Sequence, residues 1–240
     1  MKIKADLKKP GHTGSNTESD TSELQKGERL SDLAYREILR GLFTKKIAAG
    51  AFLSQNYLSE LFGLPIQPLR DALRILEAEG VLTVQPRSGI RFLKPNLEFA
   101  QNTFQFRAAI ERPAARRYAE SGPIHQIQKL VADHQALLNE VEQNRLGTHE
   151  LETLDQLEQG LHGGMIAHMN NPLIEVTARR LSNYVKLILI DRTLTPPIVL
   201  QTLREHLKIL DACANRNPDD AEAALSNHFR GALQRHLGMF

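Results

Sequence analysis

One cysteine, Cys213, stands among 240 residues. No internal disulfide is possible, and a single thiol fits a reducing compartment. Long apolar runs are also missing. The longest aliphatic run in the C-terminal half is Leu187-Ile188-Leu189-Ile190, far short of the roughly 20 residues that span a bilayer. The first residues, Met1-Lys2-Ile3-Lys4-Ala5-Asp6, have lysines with no apolar stretch behind them, so no secretory signal is read there. Nor is there a large excess of one charge, since 30 Lys and Arg face 28 Asp and Glu. With 41% hydrophobic and 24% charged residues, collagenous, low-complexity and mostly disordered classes are excluded. What remains is a soluble, cytoplasmic protein of one or two domains with enough apolar mass for a core.

The charge is unevenly placed. Residues 1–30 carry 6 basic and 5 acidic groups, residues 31–95 carry 9 and 6, and residues 96–240 carry 15 and 17. The basic excess sits in the first folded third, a weak footprint for nucleic acid that solvated surface would also produce. Residues 1–30 are polar and rich in Gly, Ser, Thr and Lys, and are read as a flexible tail. From about residue 31, Leu33, Ile38, Leu39, Leu42, Phe43 and Ile47 recur at helical spacing, and Ala48-Ala49-Gly50 ends that helix. Ser54 is placed to cap a short second helix through Leu58, Leu61 and Phe62, stopped by Gly63. A third helix runs from Ile66 to Glu79, with Pro68 in its tolerant first turn and Gly80 beyond its end.

Two β-rich runs, Val81–Gln85 and Ile90–Leu93, then flank Pro86-Arg87-Ser88-Gly89 and read as a hairpin. Three helices and a hairpin within residues 31–95 form the layout of a winged helix-turn-helix, whose third helix can enter a major groove. After Lys94-Pro95-Asn96 only helical patterning is present. Breaks at Gly122-Pro123, Gly147-Thr148, Asn170-Pro172, Pro196-Pro197 and Asn215–Pro218 predict six helices in residues 96–240. The fold class expected is therefore mainly α: an N-terminal winged helix-turn-helix followed by an all-α six-helix bundle.

The stretch Tyr35–Leu93 resembles the DNA-binding domain of GntR-family bacterial transcription regulators. The residues that carry this are Gly50-Ala51-Phe52-Leu53-Ser54, Leu58-x-x-x-Phe62-Gly63-Leu64, Pro68-Leu69-Arg70-Asp71-Ala72-Leu73-x-x-Leu76-Glu77-Ala78-Glu79-Gly80, and Gly89. The second half is similar to the helical ligand-binding (FCD) domain of the FadR subfamily through Arg107-x-x-Ile110-Glu111, His162 followed by Asn171-Pro172, Glu205-His206 and His228. The resemblance implies a regulator that binds a palindromic operator in double-stranded DNA as a homodimer, and whose helical domain takes an effector.

In such a regulator the third helix and the wing touch DNA. Arg70 is placed to reach a phosphate or a guanine edge, and Arg87 lies at the wing tip near Gly89. The alternative for Arg70 is a surface ion pair with Asp71 or Glu77. The family's usual Ser-Arg-Thr before the helix proline is replaced by Pro65-Ile66-Gln67. Ile66 can offer only an apolar contact, whereas Gln67 can still hydrogen-bond a base, adenine being the usual partner. Asn56 stands where some members carry another arginine. Fewer cations mean fewer neutralised phosphates and a different operator preference.

Glu158 and His162 are four residues apart and share a helix face. His206 and His228 each lie eleven residues from Asn217, so antiparallel helices joined by that turn bring them level, each about 16 Å along its helix. Three imidazoles and a carboxylate suit a divalent transition metal, zinc or nickel foremost; hydrogen-bonded core histidines are the other reading of such spacing. The resemblance implies a metal at these positions, with Glu158 where aspartate is usual, and a metal that either helps bind a small carboxylate effector or serves structurally. Arg107 either complements the effector's charge or pairs with Glu111 on its own helix. His134, His168 and His236 lack the register and are assigned structural or surface roles. Two rival functions remain: a metal-dependent helical hydrolase, against which stand the missing His-Asp dipeptide and HExxH motif, and a regulator that takes an apolar effector without metal.

Overall fold

The computed structural model describes residues 29–236. The expected tail over residues 1–30 lies outside these, except for its last two positions. No helix among the described residues is long and apolar enough to cross a membrane. Among the described residues, nine helices and three short strands follow one another: α1 (Leu30–Phe43), β1 (Phe52–Leu53), α2 (Gln55–Phe62), α3 (Ile66–Ala78), β2 (Leu82–Gln85), β3 (Gly89–Phe92), α4 (Leu97–Ser121), α5 (Ile124–Glu142), α6 (Thr148–Ala167), α7 (Pro172–Leu189), α8 (Pro196–Ala214) and α9 (Pro218–His236).

The head, α1 to β3, packs Ile38, Leu42, Leu58, Leu69, Leu73, Leu76, Ile90 and Phe92 into one core. Ser54 caps α2 by accepting from the Tyr57 N–H at 3.1 Å, and Gly63 ends it in a left-handed conformation. Two features differ from the sequence reading. Helix α1 stops at Phe43, because Lys45 turns left-handed and the Thr44 hydroxyl donates to the Arg40 carbonyl. Ile47 still reaches the core, since its N–H donates to the Gly41 carbonyl at 2.8 Å and draws the loop inward. The hairpin also gains a third strand: β1 pairs antiparallel with β3, Phe52 opposite Arg91 and Leu53 opposite Ile90, in the order β1-β3-β2. Two residues are too few to show the alternation by which a strand is recognised.

The six helices α4–α9 form the second unit, with cores around Phe104, Tyr118, Leu161, Ile209 and Phe229 and around Leu137, Leu154 and Leu203. Helix α7 belongs to both units. Its Leu181, Tyr184 and Leu187 sit in the core of the head, and the Tyr184 hydroxyl donates to the Glu79 carbonyl at the end of α3. Gly80 makes that approach possible. Its φ is +76°, and a Cβ there would lie 3.0 Å from the Tyr184 hydroxyl oxygen and 3.4 Å from Arg180 Nη2. A Gly80→Ala variant should therefore lose about 1–2 kcal/mol from the left-handed backbone alone, read as a lower midpoint in urea denaturation. An unchanged midpoint would show that Gly80 is not needed for this junction.

Candidate functional site

The surface of the head offers the residues that a groove reader needs. Arg70, Gln67 and Ile66 are exposed along the first turns of α3, Asn56 is exposed on α2, and Arg87 is exposed at the turn of the hairpin with φ +61°. Arg70 makes neither of the ion pairs considered for it. Asp71 faces Arg74 at 3.7 Å and Gln67 at 3.3 Å. Glu77 accepts from the Val84 N–H at 2.7 Å, tying α3 to the wing. Gly89 is pressed against β1: a Cβ there would lie 2.9 Å from the Phe52 ring and 3.0 Å from the Leu53 carbonyl oxygen. That packing gives Gly89 a structural reason to be glycine.

In the helical unit, α6 supplies Glu158 and His162, α8 supplies His206 and α9 supplies His228. The α8–α9 turn does bring the last two level, with ring centroids 4.7 Å apart. One donor atom from each of the four residues lies within 4.8 Å of the other three. Tetrahedral donors about 2.0–2.2 Å from a shared ion lie about 3.4 Å apart, so the side chains would close in by about an ångström. Glu158 presents one carboxylate oxygen to His162 Nε2 and the other to His206 Nε2, each at 3.5 Å.

Three supporting groups fix how the rings face. His162 Nδ1 is 2.5 Å from Glu111 Oε2, and His228 Nδ1 is 3.0 Å from Glu205 Oε2. His206 Nδ1 is 3.2 Å from His134 Nε2, and His134 Nδ1 is 2.7 Å from the Leu130 carbonyl oxygen. That carbonyl can only accept, so His134 carries its proton on Nδ1 and accepts at Nε2 from His206 Nδ1–H. Each of the three cluster rings then holds its proton on Nδ1 and leaves the Nε2 lone pair free, and those of His162 and His206 face Glu158.

Burial is severe here: His206 and His134 are 0% exposed. It drives the pKa of His206 well below 6.5, helped by the surrounding histidines, and lowers those of His228 and His134 as well. Neutral imidazoles are what a metal requires. Burial would raise Glu111, but Arg107 and His162 hold it at about 2. Burial would likewise raise Glu205, and hydrogen bonds from Arg235 and His228 hold it at about 2. Both supports are thus fixed as carboxylates.

The fit to a cation rests on two atoms. Nε2 of His162 and Nε2 of His206 are buried and have no hydrogen-bond partner among the described residues. Unpaired buried polar atoms are rare and destabilising, and two aimed at one carboxylate form a donor set for a first-row divalent ion. Arg107 is bound to Glu111 through Nε at 2.6 Å and Nη2 at 3.3 Å, and it also lines the cavity beside the cluster. Sequence reasoning missed Glu205 and His134 as ring supports. It noted Glu111 only as a partner for Arg107. His168 bonds Ser121 at 2.9 Å, away from the cluster.

The cavity next to Glu158, His162 and His228 has a volume of about 1090 Å³. Its walls come from α4, α6, α7, α8 and α9, from the turn between α7 and α8, and also from Phe43 of the head. Asn183 of α7 lines it and donates to the Tyr35 hydroxyl at 3.4 Å, and that hydroxyl donates to Glu79 at 2.8 Å. A polar chain therefore runs from the cavity wall to the end of α3.

Comparison with known proteins gives the same two-part division. Residues 30–92 match the family described as bacterial regulatory proteins, gntR family, and residues 102–231 match the FCD domain. The chain is 26% identical over 216 residues to the HTH-type transcriptional repressor RspR of Escherichia coli K12, covering 87% of this chain and 90% of that protein. It is 20% identical over 199 residues to the uncharacterized HTH-type transcriptional regulator YdhC of Bacillus subtilis 168, covering 81% and 85%. Among solved structures, E. coli McbR/YncC superposes with a TM-score of 0.73 at 16% identity, over 88% of this chain and 98% of the other. A GntR putative transcriptional regulator from Rhodococcus sp. RHA1 gives 0.69 at 16% identity, over the same shares. The winged head joined to an FCD bundle places this chain in the GntR family of DNA-binding transcription regulators.

Proposed function

We propose that the protein is an effector-responsive repressor of the FadR subfamily that binds a palindromic operator as a homodimer. Its helical domain holds a divalent transition metal, zinc or nickel, and a small organic acid. The observation that carries the metal is the pair of buried, unpartnered Nε2 atoms on His162 and His206, facing Glu158. Glu158, His162, His206 and His228 would be its ligands, and bound there it would supply Lewis-acid attraction for a carboxylate. Arg107 lines the same cavity and adds positive potential toward an anion, while Glu111 holds its guanidinium in place. The name of the E. coli relative supports repression. Homodimers suit palindromic sites because the protein's two-fold axis matches that of the DNA.

The DNA reading rests on the exposed Arg70, which has no ion-pair partner among the described residues, with Gln67 and Ile66 on the same turns and Asn56 and Arg87 on either side. The effector would act through α7, whose two faces meet the cavity and the head. A ligand that favours one placement of Asn183 shifts the Tyr35–Glu79 contact, and linkage requires the operator to alter ligand affinity in return.

Two measurements test this. Protein purified without chelator or nickel resin should contain about one equivalent of a transition metal per chain, since a preformed site with neutral ligands binds tightly. Glu158→Ala should lower that content while circular dichroism is retained. Less than about a tenth of an equivalent, with no uptake on titration, contradicts the metal site. In gel shifts, Arg70→Ala should weaken operator binding by at least about tenfold, the equivalent of one good base or phosphate contact. An unmoved midpoint removes Arg70 from the interface.

A further inference from the structure

The cavity beside the metal-ligating cluster is much larger than a simple monocarboxylate fills, and its cations are not all neutralised. Arg107 is bound to Glu111, Lys186 to Asp155 at 3.0 Å, and Arg235 to both oxygens of Glu205 at 2.6 and 2.7 Å. Arg179 is open to solvent. Arg192, in the turn after α7, has no such relief. It lines the cavity, and its Nη2 is buried without a hydrogen-bond partner among the described residues. Burial and the neighbouring Arg235 both disfavour its charge, while Arg235 has its own charge matched by Glu205. An anion held in the cavity would satisfy Arg192.

Arg192 and three of the cluster residues, Glu158, His162 and His228, line one cavity, with Ile198 and Ala232 among its apolar walls. The charge of Arg235 acts on Arg192, Arg235 holds Glu205, and Glu205 holds His228. A hydrocarbon chain with an anionic oxygen group at each end meets both groups within that cavity. A guanidinium takes a carboxylate through paired N–H donors.

We propose that Arg192 is a second anion subsite and that the effector is a dicarboxylate, one end at the Glu158–histidine cluster and the other on Arg192. This rests on the organic-acid reading given above. The full-length, zinc-loaded protein is titrated calorimetrically with the unbranched dicarboxylates from malonate to suberate, each beside the monocarboxylate of equal carbon number. One length of dicarboxylate should bind at least about tenfold tighter than its monocarboxylate, the gain expected of an added charge-assisted pair. In Arg192→Gln that advantage should vanish, with zinc uptake retained. Monocarboxylates binding as well as every dicarboxylate overturns the Arg192 subsite and leaves the organic-acid site standing, as does an advantage that survives in Arg192→Gln. Binding of neither series overturns both.

Discussion

The structure of the helical unit turns on one constraint: three imidazoles are packed in the interior, and each must have its Nδ1 proton accepted by something. Glu111, Glu205 and the His134–Leu130 pair do this. Their effect is directional. With Nδ1 committed outward, the Nε2 lone pairs have no choice but to converge beside Glu158. Arrangements of this kind hold a metal-ligating ring in one tautomer and orientation. Arg107 and Arg235 extend the scheme by keeping the two supporting carboxylates ionised in a buried setting. The Arg107 guanidinium rests over the Phe229 ring, 4.7 Å from its centroid, and the His162 ring stacks on the same phenyl. Apolar packing and charge pairing thus fix the same few side chains.

The second consequence concerns reach. A regulator must let a small molecule in one domain alter how another grips DNA, and a two-domain chain does so only where the domains share structure. Helix α7 supplies that shared element. Leu181, Tyr184 and Leu187 are part of the core of the head, whereas Asn183 and Lys186, alternating with them, line the cavity. Phe43 of α1 completes the cavity wall, with the Lys186 ammonium over its ring. Any ligand large enough to touch these residues is in contact with the head as well as with the bundle.

Much of this was readable in the sequence. Helix breakers stood at every junction of α4 to α9, and equal distance from Asn217 was enough to set His206 and His228 side by side. Glu205, twelve residues before Asn217 against eleven after it for His228, comes within one residue of the same level, and its contact with that ring was not drawn. His134 was beyond such reasoning. It meets His206 because α5 lies against α8, and no spacing within one segment encodes which helices become neighbours. Helix α1 was drawn too long because Ile47 keeps the apolar period, although its backbone has already left the helix. Arg192 was invisible for a different reason. An arginine in a polar turn looks solvated, and only its buried Nη2 shows that part of its guanidinium is not.

The central claim is the inward convergence of three Nε2 lone pairs, and ring tautomers report on it directly. Long-range ¹H–¹⁵N correlation spectra of the metal-free protein at neutral pH distinguish protonated from bare ring nitrogens. For His162, His206 and His228 the account predicts protonated Nδ1 and bare Nε2, with His134 in the same form. Protonated Nε2 on two or more of the cluster rings would mean that their supports do not aim them at a common ion, and the site as described here would not exist.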